Sequence, residues 1–66
     1  MENMRVQVEN ERAFEFESAA NEFFAQMNPT MEKQGNFWTT FSFEVATDQE
    51  MEKVSRFHAK FEEDKN

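Results

Sequence analysis

The stretch that decides the fold of this 66-residue chain is Phe37-Trp38-Thr39-Thr40-Phe41-Ser42-Phe43-Glu44-Val45. Aromatic and β-branched residues fill it, and they alternate with the period of two that is typical of a strand with one buried face. The residues of the predicted buried face are Phe37, Thr39, Phe41, Phe43 and Val45. Trp38 falls on the opposite face. The stretch therefore predicts a strand over residues 37–45 beneath a covering layer.

Two further segments complete the predicted sheet. Met4-Arg5-Val6-Gln7-Val8 alternates in the same way and predicts a short strand. Residues 28–36 contain the single Pro and the single Gly of the chain, and Gln34-Gly35-Asn36 predicts a tight turn. A short strand fits before that turn. We expect these segments to form a small antiparallel sheet.

The segment between the first strand and Pro29 favours one helix over residues 12–27. Its apolar positions recur with helical spacing, at Ala13, Phe16, Ala20, Phe23, Phe24 and Met27. Asn10 is a candidate N-cap, and Pro29 prevents continuation. The alternative keeps a hairpin through Phe16, because residues 14–17 also alternate, and begins a shorter helix at Ser18.

A second helix follows the central strand. Thr47-Asp48-Gln49-Glu50 is a capping box, in which the hydroxyl and the glutamate each satisfy a free amide. The apolar positions after it are Met51, Val54, Phe57, His58 and Phe61. We expect residues 62–66 to fray as an acidic tail. The whole pattern predicts a single α+β domain over residues 1–66, a small two-layer domain with two helices packed on a small antiparallel sheet.

The composition predicts a homodimer with an aromatic core. The chain has 9 Phe and 5 Met but no Cys, so no disulfide can stabilise it. A domain this small buries too little surface for a large net stability, which makes a partner subunit the expected support. Trp38 lies on the sheet face away from the helices, and we expect Trp38, Phe37 and Phe41 at the dimer interface.

Several function classes are disfavoured. The chain lacks a run of about 18 apolar residues and a secretory N-terminus, so we expect no membrane contact and a cytoplasmic location. One Gly excludes a phosphate-binding Gly-rich loop, and no nucleophile motif occurs. His58, the single histidine, lies on the apolar stripe of the second helix and is expected to pack there. We expect no enzymatic activity, no cofactor and no metal site.

The carboxylates are the informative feature. Fourteen Asp and Glu against seven Lys and Arg give a formal charge of −7, which disfavours direct binding to nucleic acid and favours a basic partner. On the predicted first helix, Glu11, Glu15 and Glu22 lie opposite the apolar stripe. Neighbours four residues apart lie about 5–6 Å apart, a distance comparable with phosphate spacing. The remaining candidate contact residues are Glu17, Asp48, Glu50 and Glu52.

In size, charge, Phe- and Met-rich composition and α+β layout, the chain resembles the small acidic host-takeover proteins of bacteriophages. That group includes DNA mimics and inhibitors of the bacterial nucleoid protein HU. The resemblance implies a homodimer that occupies the DNA-binding surface of a basic, nucleoid-associated protein such as HU in the host cytoplasm. It implies inhibition by competition with DNA.

The alternative is a small protein-interaction adaptor or regulatory subunit that binds through an aromatic surface. Salt separates the two hypotheses. Screening over about 8–10 Å weakens a carboxylate interface as salt rises, whereas an aromatic interface holds or tightens.

Overall fold

The computed structural model describes residues 2–64, which form three strands and two helices. In chain order they are β1 (Glu2–Glu9), α1 (Ala13–Phe23), β2 (Thr30–Gln34), β3 (Trp38–Val45) and α2 (Asp48–Glu63). Single turns of 3-10 helix, Asn10–Arg12 and Ala25–Met27, flank α1. The predicted α+β class, with two helices on a small antiparallel sheet, is confirmed.

The sheet has the order β1-β3-β2, and both pairs are antiparallel. The β1–β3 register runs without interruption from Glu2 opposite Val45 to Glu9 opposite Trp38. The β2–β3 register shifts between Met31 and Lys33. β3 is therefore the central strand, which explains why its sequence carries the strongest strand pattern.

The core is aromatic, as predicted, and Phe16 lies at its centre. Its ring centroid is 4.9 Å from that of Phe41, 5.3 Å from that of Phe57 and 5.1 Å from that of Phe61. Val6 and Val8 of β1 belong to the same cluster. Both helices thus cover one face of the sheet, and the other face carries Trp38.

The helix predicted over residues 12–27 is confirmed in its main part, and the hairpin alternative is wrong. α1 ends at Phe23, and Asn28 adopts a left-handed conformation with φ 48° before Pro29. Phe23 is 63% exposed, which corrects its predicted place on the buried stripe. Phe23 and Phe24 are neighbours, so they point in different directions, and Phe24 faces the core.

The capping box at the start of α2 forms with one shift. The Glu50 amide donates to Thr47 Oγ1 at 3.2 Å, as predicted. Glu50 Oε1 accepts instead from the Ala46 amide, one residue before the cap, at 2.6 Å. The helix extends through Glu63, so residues 62 and 63 are helical rather than a frayed tail. Residues 65 and 66 lie outside the described part of the chain.

The central strand begins one residue later than predicted. Phe37 lies before β3 and is 76% exposed, so its predicted place on the buried face is wrong. Thr39, Phe41, Phe43 and Val45 do fill that face. No helix of residues 2–64 is long and apolar enough to cross a bilayer.

Candidate functional site

Asn10 ties the end of β1 to the turn between β2 and β3. Its backbone amide donates to the Phe37 carbonyl at 3.0 Å, and its Nδ2 donates to the Gly35 carbonyl at 2.8 Å. Its Oδ1 accepts from Thr39 Oγ1 at 2.7 Å. The Asn10 side chain is thus bonded to the turn and does not cap α1. The N-cap of α1 is Arg12, whose side chain makes no capping hydrogen bond. Asn10 fixes two chain segments next to each other.

This junction creates a concave site, which we call the Trp38 notch. It encloses about 360 Å³. Its lining residues are Glu9, Asn10, Glu11, Asn36, Phe37 and Trp38. Glu9 and Trp38 are register partners across the β1–β3 pair, so their side chains lie side by side on the same face. Trp38 is 47% exposed. The notch therefore combines two accessible aromatic rings with two carboxylates.

Two of the three carboxylates of the predicted stripe, Glu15 and Glu22, lie on α1. Glu15, Ser18 and Glu22 are exposed and follow helical spacing on the side away from the buried Phe16 and Ala20. Glu11 precedes α1, in a 3-10 turn, but lines a shallow depression together with Phe14, Glu15 and Ser18. We call Glu11, Glu15 and Glu22 the α1 stripe. Glu17 is half-buried on another side of α1 and does not join it.

Arg12 is the cation next to the α1 stripe. Its guanidinium lies 3.9 Å from the centre of the Phe61 ring and donates to the Phe61 carbonyl at 2.8 Å. It also reaches Glu15 Oε2 at 3.3 Å. Because Arg12 is held against α2, it moderates the charge of Glu15 without covering the stripe.

The second predicted acidic group, at the start of α2, is largely engaged within the chain. Glu50 accepts the Ala46 amide, and Glu52 pairs with Arg56 at 2.6 Å, as expected from their spacing. Asp48 is exposed in the first turn, where it faces the positive end of the helix dipole.

The structure does not bring the two acidic groups together. The beginning of α1 contacts the end of α2 through Arg12 and Phe61, and the end of α1 contacts the middle of α2 through Phe23 and Phe57. The helices are therefore antiparallel, and the start of α2 lies at the opposite end from Glu11.

The three residues predicted at the dimer interface differ in their exposure to solvent. Trp38 and Phe37 are accessible on or beside the outer sheet face. Phe41 is 0% exposed beneath Phe16, so its assignment to a dimer interface is wrong. The alternation places Phe41 on the helix-covered face, where no partner can reach it. The homodimer itself stays a prediction.

His58 packs within the domain. Its Nε2 lies 2.8 Å from the Gln7 carbonyl of the edge strand and 3.7 Å from Glu62 Oε1. Its ring meets the Phe16 ring edge to face, with centroids 6.1 Å apart. In residues 2–64, no group of three or more His, Cys, Asp or Glu side chains is arranged to hold a metal ion.

Arg5 and Glu32 form an ion pair across the outer sheet face. Arg5 Nε lies 2.7 Å from Glu32 Oε1, and Nη2 lies 3.1 Å from Oε2. These hydrogen bonds, and secondarily the positive charge, hold the pKa of the Glu32 carboxyl below its ordinary value. Ser42 lies on β3, between the two strands that carry the pair, and its side chain is buried on this face.

A shallow aromatic groove that sequence reasoning missed lies between the two helices. Phe23, Phe24 and Phe57 form it, and Lys53 and Arg56 flank it. The sequence does contain more Phe residues than a core of this size can bury, but that number does not show which Phe side chains are exposed.

Comparisons with protein-family profiles, with curated proteins and with solved structures find no match to this chain.

Proposed function

We propose that this protein binds the DNA-binding surface of a basic, nucleoid-associated protein and inhibits it by competing with DNA. The observation that carries the proposal is the α1 stripe. Glu15 and Glu22 occupy the solvent side of a helix that Phe16 and Ala20 fix to the core, and Glu11 precedes that helix. A formal charge of −7 supports attraction of a basic partner over a distance.

The spacing of the stripe supports phosphate mimicry. Glu15 and Glu22 are two helical turns apart, which corresponds to about 10 Å along the axis. The phosphates of one DNA strand advance about 3.4 Å per nucleotide along the axis, so this separation matches about three phosphate-to-phosphate steps. A rigid helix keeps the carboxylates in place, which limits the entropy lost on binding.

The α1 stripe is the main contact surface in this proposal, and the start of α2 contributes less. Glu50 and Glu52 have close partners within the chain, both at 2.6 Å. Glu15 also pairs with Arg12, but at the longer distance of 3.3 Å, and Glu22 lies at an exposed position. Asp48 adds long-range attraction from the far end of the domain.

The first experiment is capture from a bacterial lysate on the immobilised protein, with elution in salt steps and identification by mass spectrometry. The expected result is a basic DNA-binding protein that elutes at moderate salt and is displaced by duplex DNA. Capture of a non-basic protein that resists high salt would contradict the proposal.

Matched charge variants then test the stripe. Glu11→Gln/Glu15→Gln/Glu22→Gln removes three charges from it, and Glu2→Gln/Glu32→Gln/Glu44→Gln removes three from the sheet. The stripe variant is expected to bind more weakly and with a shallower dependence on salt, whereas the sheet variant keeps most of the affinity. An equal loss of affinity in both variants would show that the stripe contributes only through its net charge.

The second candidate function is the aromatic adaptor, which the groove between the helices favours. Phe14, Phe23, Phe37 and Trp38 are exposed, a large share for a chain of 66 residues. This candidate predicts that Phe23→Ala abolishes capture of the partner while the stripe variant does not.

A further inference from the structure

We infer that copies of this chain associate head to tail, with Phe14 of one copy in the aromatic groove of the next and Glu11 beside its Lys53. The aromatic groove is the surface between the two helices described above. The inference goes beyond the proposed function and does not rest on it. It also assigns a contact that differs from the predicted homodimer through Trp38.

The aromatic groove is an apolar surface that the fold leaves uncovered. The Phe57 ring centroid lies 6.1 Å from that of Phe23 and 5.1 Å from that of Phe24, so the three rings form one surface that spans both helices. Phe23 is mostly exposed. The groove encloses about 470 Å³, a size typical of binding clefts. An additional aromatic side chain can therefore pack there against rings of both helices.

The rim of the aromatic groove is positively charged. Lys53 and Arg56 line it. Arg56 is held by Glu52 at 2.6 Å, but in the described part of the chain neither Lys53 nor Lys60 takes part in an ion pair. Lys53, Phe57 and Lys60 follow helical spacing on one side of α2. The groove therefore suits an aromatic side chain that is accompanied by a carboxylate.

The complementary feature is Phe14, at the start of α1. Its side chain is 71% exposed, and it lines a depression with Glu11, Glu15 and Ser18. Glu15 reaches Arg12 at 3.3 Å, whereas Glu11 has no ion-pair partner among residues 2–64. Each copy thus presents an aromatic ring next to a carboxylate, which is the combination that the aromatic groove of another copy accepts.

The placement of the two features on α1 makes the contact head to tail. Phe14 and Phe23 are nine residues apart, which is about two and a half helical turns, so their side chains leave α1 on opposite sides. Phe23 faces α2, and Phe14 faces away from it. Phe14 therefore cannot reach the groove of its own chain, and each copy can hold one neighbour on either side. Such a heterologous contact joins copies into open chains or closed rings.

Net charge sets the conditions for this contact. Two copies of formal charge −7 repel each other, but salt screens this repulsion over about 8 Å at physiological ionic strength. At the contact itself, Glu11 of one copy approaches Lys53 of the next. Glu22, the carboxylate beside Phe23 in the sequence, projects about 100° around α1 from Phe23 and is not among the residues that line the groove. One ring and one ion pair form a small interface, for which we expect a dissociation constant on the order of 0.1 mM.

Sedimentation equilibrium of the purified protein at physiological salt, up to about 1 mM, measures the association. The expected result is a mean mass that rises with concentration beyond the mass of a dimer. Phe14→Ala is expected to weaken the association at least about tenfold. Phe37→Ala removes a similarly exposed ring outside the contact and is expected to leave the association unchanged. A protein that stays monomeric, or equal losses in the two variants, would overturn the inference.

Mixing of two variants tests the head-to-tail geometry. Phe23→Ala disrupts the groove but keeps Phe14, whereas Phe14→Ala lacks the inserted ring but keeps the groove. Each variant alone is expected to be mainly monomeric. Their equimolar mixture is expected to form a one-to-one complex of dimer mass, because one complete contact remains. Absence of this complex, with both variants folded by circular dichroism, would overturn the inference.

Charge reversal supplies variants that leave the aromatic rings in place. Lys53→Glu and Glu11→Lys are each expected to weaken the association about two- to fivefold. The double variant Glu11→Lys/Lys53→Glu has the net charge of the parent protein and is expected to recover most of the loss. Lys33→Glu, at an exposed position of β2, is the control for Lys53→Glu. If Phe23→Ala fails to fold, Lys53→Glu replaces it in the mixing experiment. A double variant that associates no better than the single variants would overturn the inference.

The outcomes separate this inference from the proposed function. Phe14→Ala keeps every carboxylate of the α1 stripe, so it is expected to lose self-association and still capture a basic DNA-binding protein. If that protein is captured but the parent chain stays monomeric, the inference is overturned and the proposed function stands. If the chain associates through Phe14 and the groove but captures no DNA-binding protein, the inference stands and the proposed function is wrong. If Phe37→Ala alone weakens the association, copies meet on the Trp38 face and the inference is overturned.

Discussion

The Thr39 hydroxyl donates a 2.7 Å hydrogen bond to Asn10 Oδ1, and this bond joins the central strand to the chain segment that leads into α1. Thr39 is fully buried, and Asn10 accepts the hydrogen bond of its hydroxyl. The same asparagine holds the turn at Gly35. One polar side chain thus positions both the Trp38 notch and the start of the acidic helix.

Asn10→Ala is expected to destabilise the domain by about 1–3 kcal/mol, because it leaves the buried Thr39 hydroxyl without its partner. Chemical denaturation followed by circular dichroism measures the change. The double variant Asn10→Ala/Thr39→Val, which removes both polar partners, is expected to recover part of the loss. A double variant less stable than the sum of the single changes would contradict this account.

Thr47→Ala removes the side-chain cap of α2 and is expected to reduce the free energy of unfolding by about 1 kcal/mol. The Glu50 amide loses its acceptor, while the bond from Ala46 to Glu50 stays. Ser55→Ala, at an exposed position within α2, is the control and is expected to be neutral or slightly stabilising. Equal effects of the two substitutions would show that the cap contributes little.

Phe16→Ala is expected to cost about 3–5 kcal/mol, since its ring contacts Phe41, Phe57 and Phe61. A domain of this size has a total stability of about 3–10 kcal/mol, so the variant is expected to populate the unfolded state at 25 °C. Phe14→Ala, at an exposed position of the same helix, is expected to change stability by less than about 0.5 kcal/mol. Thermal melts of both variants make the comparison.

The Arg5–Glu32 pair predicts that the stability of the fold depends on pH. The folded pKa of Glu32 lies below its ordinary value of about 4.5, so the pair stabilises the fold above that pH. This stabilisation is expected to disappear as pH falls from 4.5 through the lowered folded pKa. Glu32→Gln is therefore expected to melt slightly below the parent protein at neutral pH and to converge with it in acid.

Both groups of the Arg5–Glu32 pair are exposed, so the difference between Glu32→Gln and the parent protein is also expected to shrink at high salt. Glu22→Gln, which changes the same charge on α1, is the control. A difference in melting temperature between Glu32→Gln and the parent protein that grows in acid would contradict the stabilising role of the pair.

Most of the fold was predictable because its signals are local. The alternation in residues 37–45, the helical spacing after Arg12 and the capping box at Thr47 each depend on residues within a few positions of one another. The α1 stripe was predictable for the same reason, since helix geometry alone places Glu15 and Glu22 on one side.

Neighbouring aromatic residues limited the prediction of burial. Phe23 and Phe24 both fit an apolar stripe, and only the packing of α1 against α2 places Phe24 inside. Phe37 fits the strand alternation, but the turn at Gly35 delays β3 by one residue and leaves Phe37 outside. Phe41 was misassigned to an interface although the alternation already places it on the buried face, opposite to Trp38.

By itself, the sequence determined the elements, the class of the fold and the acidic side of α1, because these follow from interactions between residues close along the chain. Only the tertiary structure decided that Glu9 lies beside Trp38 and that Asn10 bonds Thr39, because strand register and chain reversal set those pairs across 29 residues. The physical reason is that the energy of such contacts is distributed over the whole sheet and core, and no local pattern encodes which distant side chains meet.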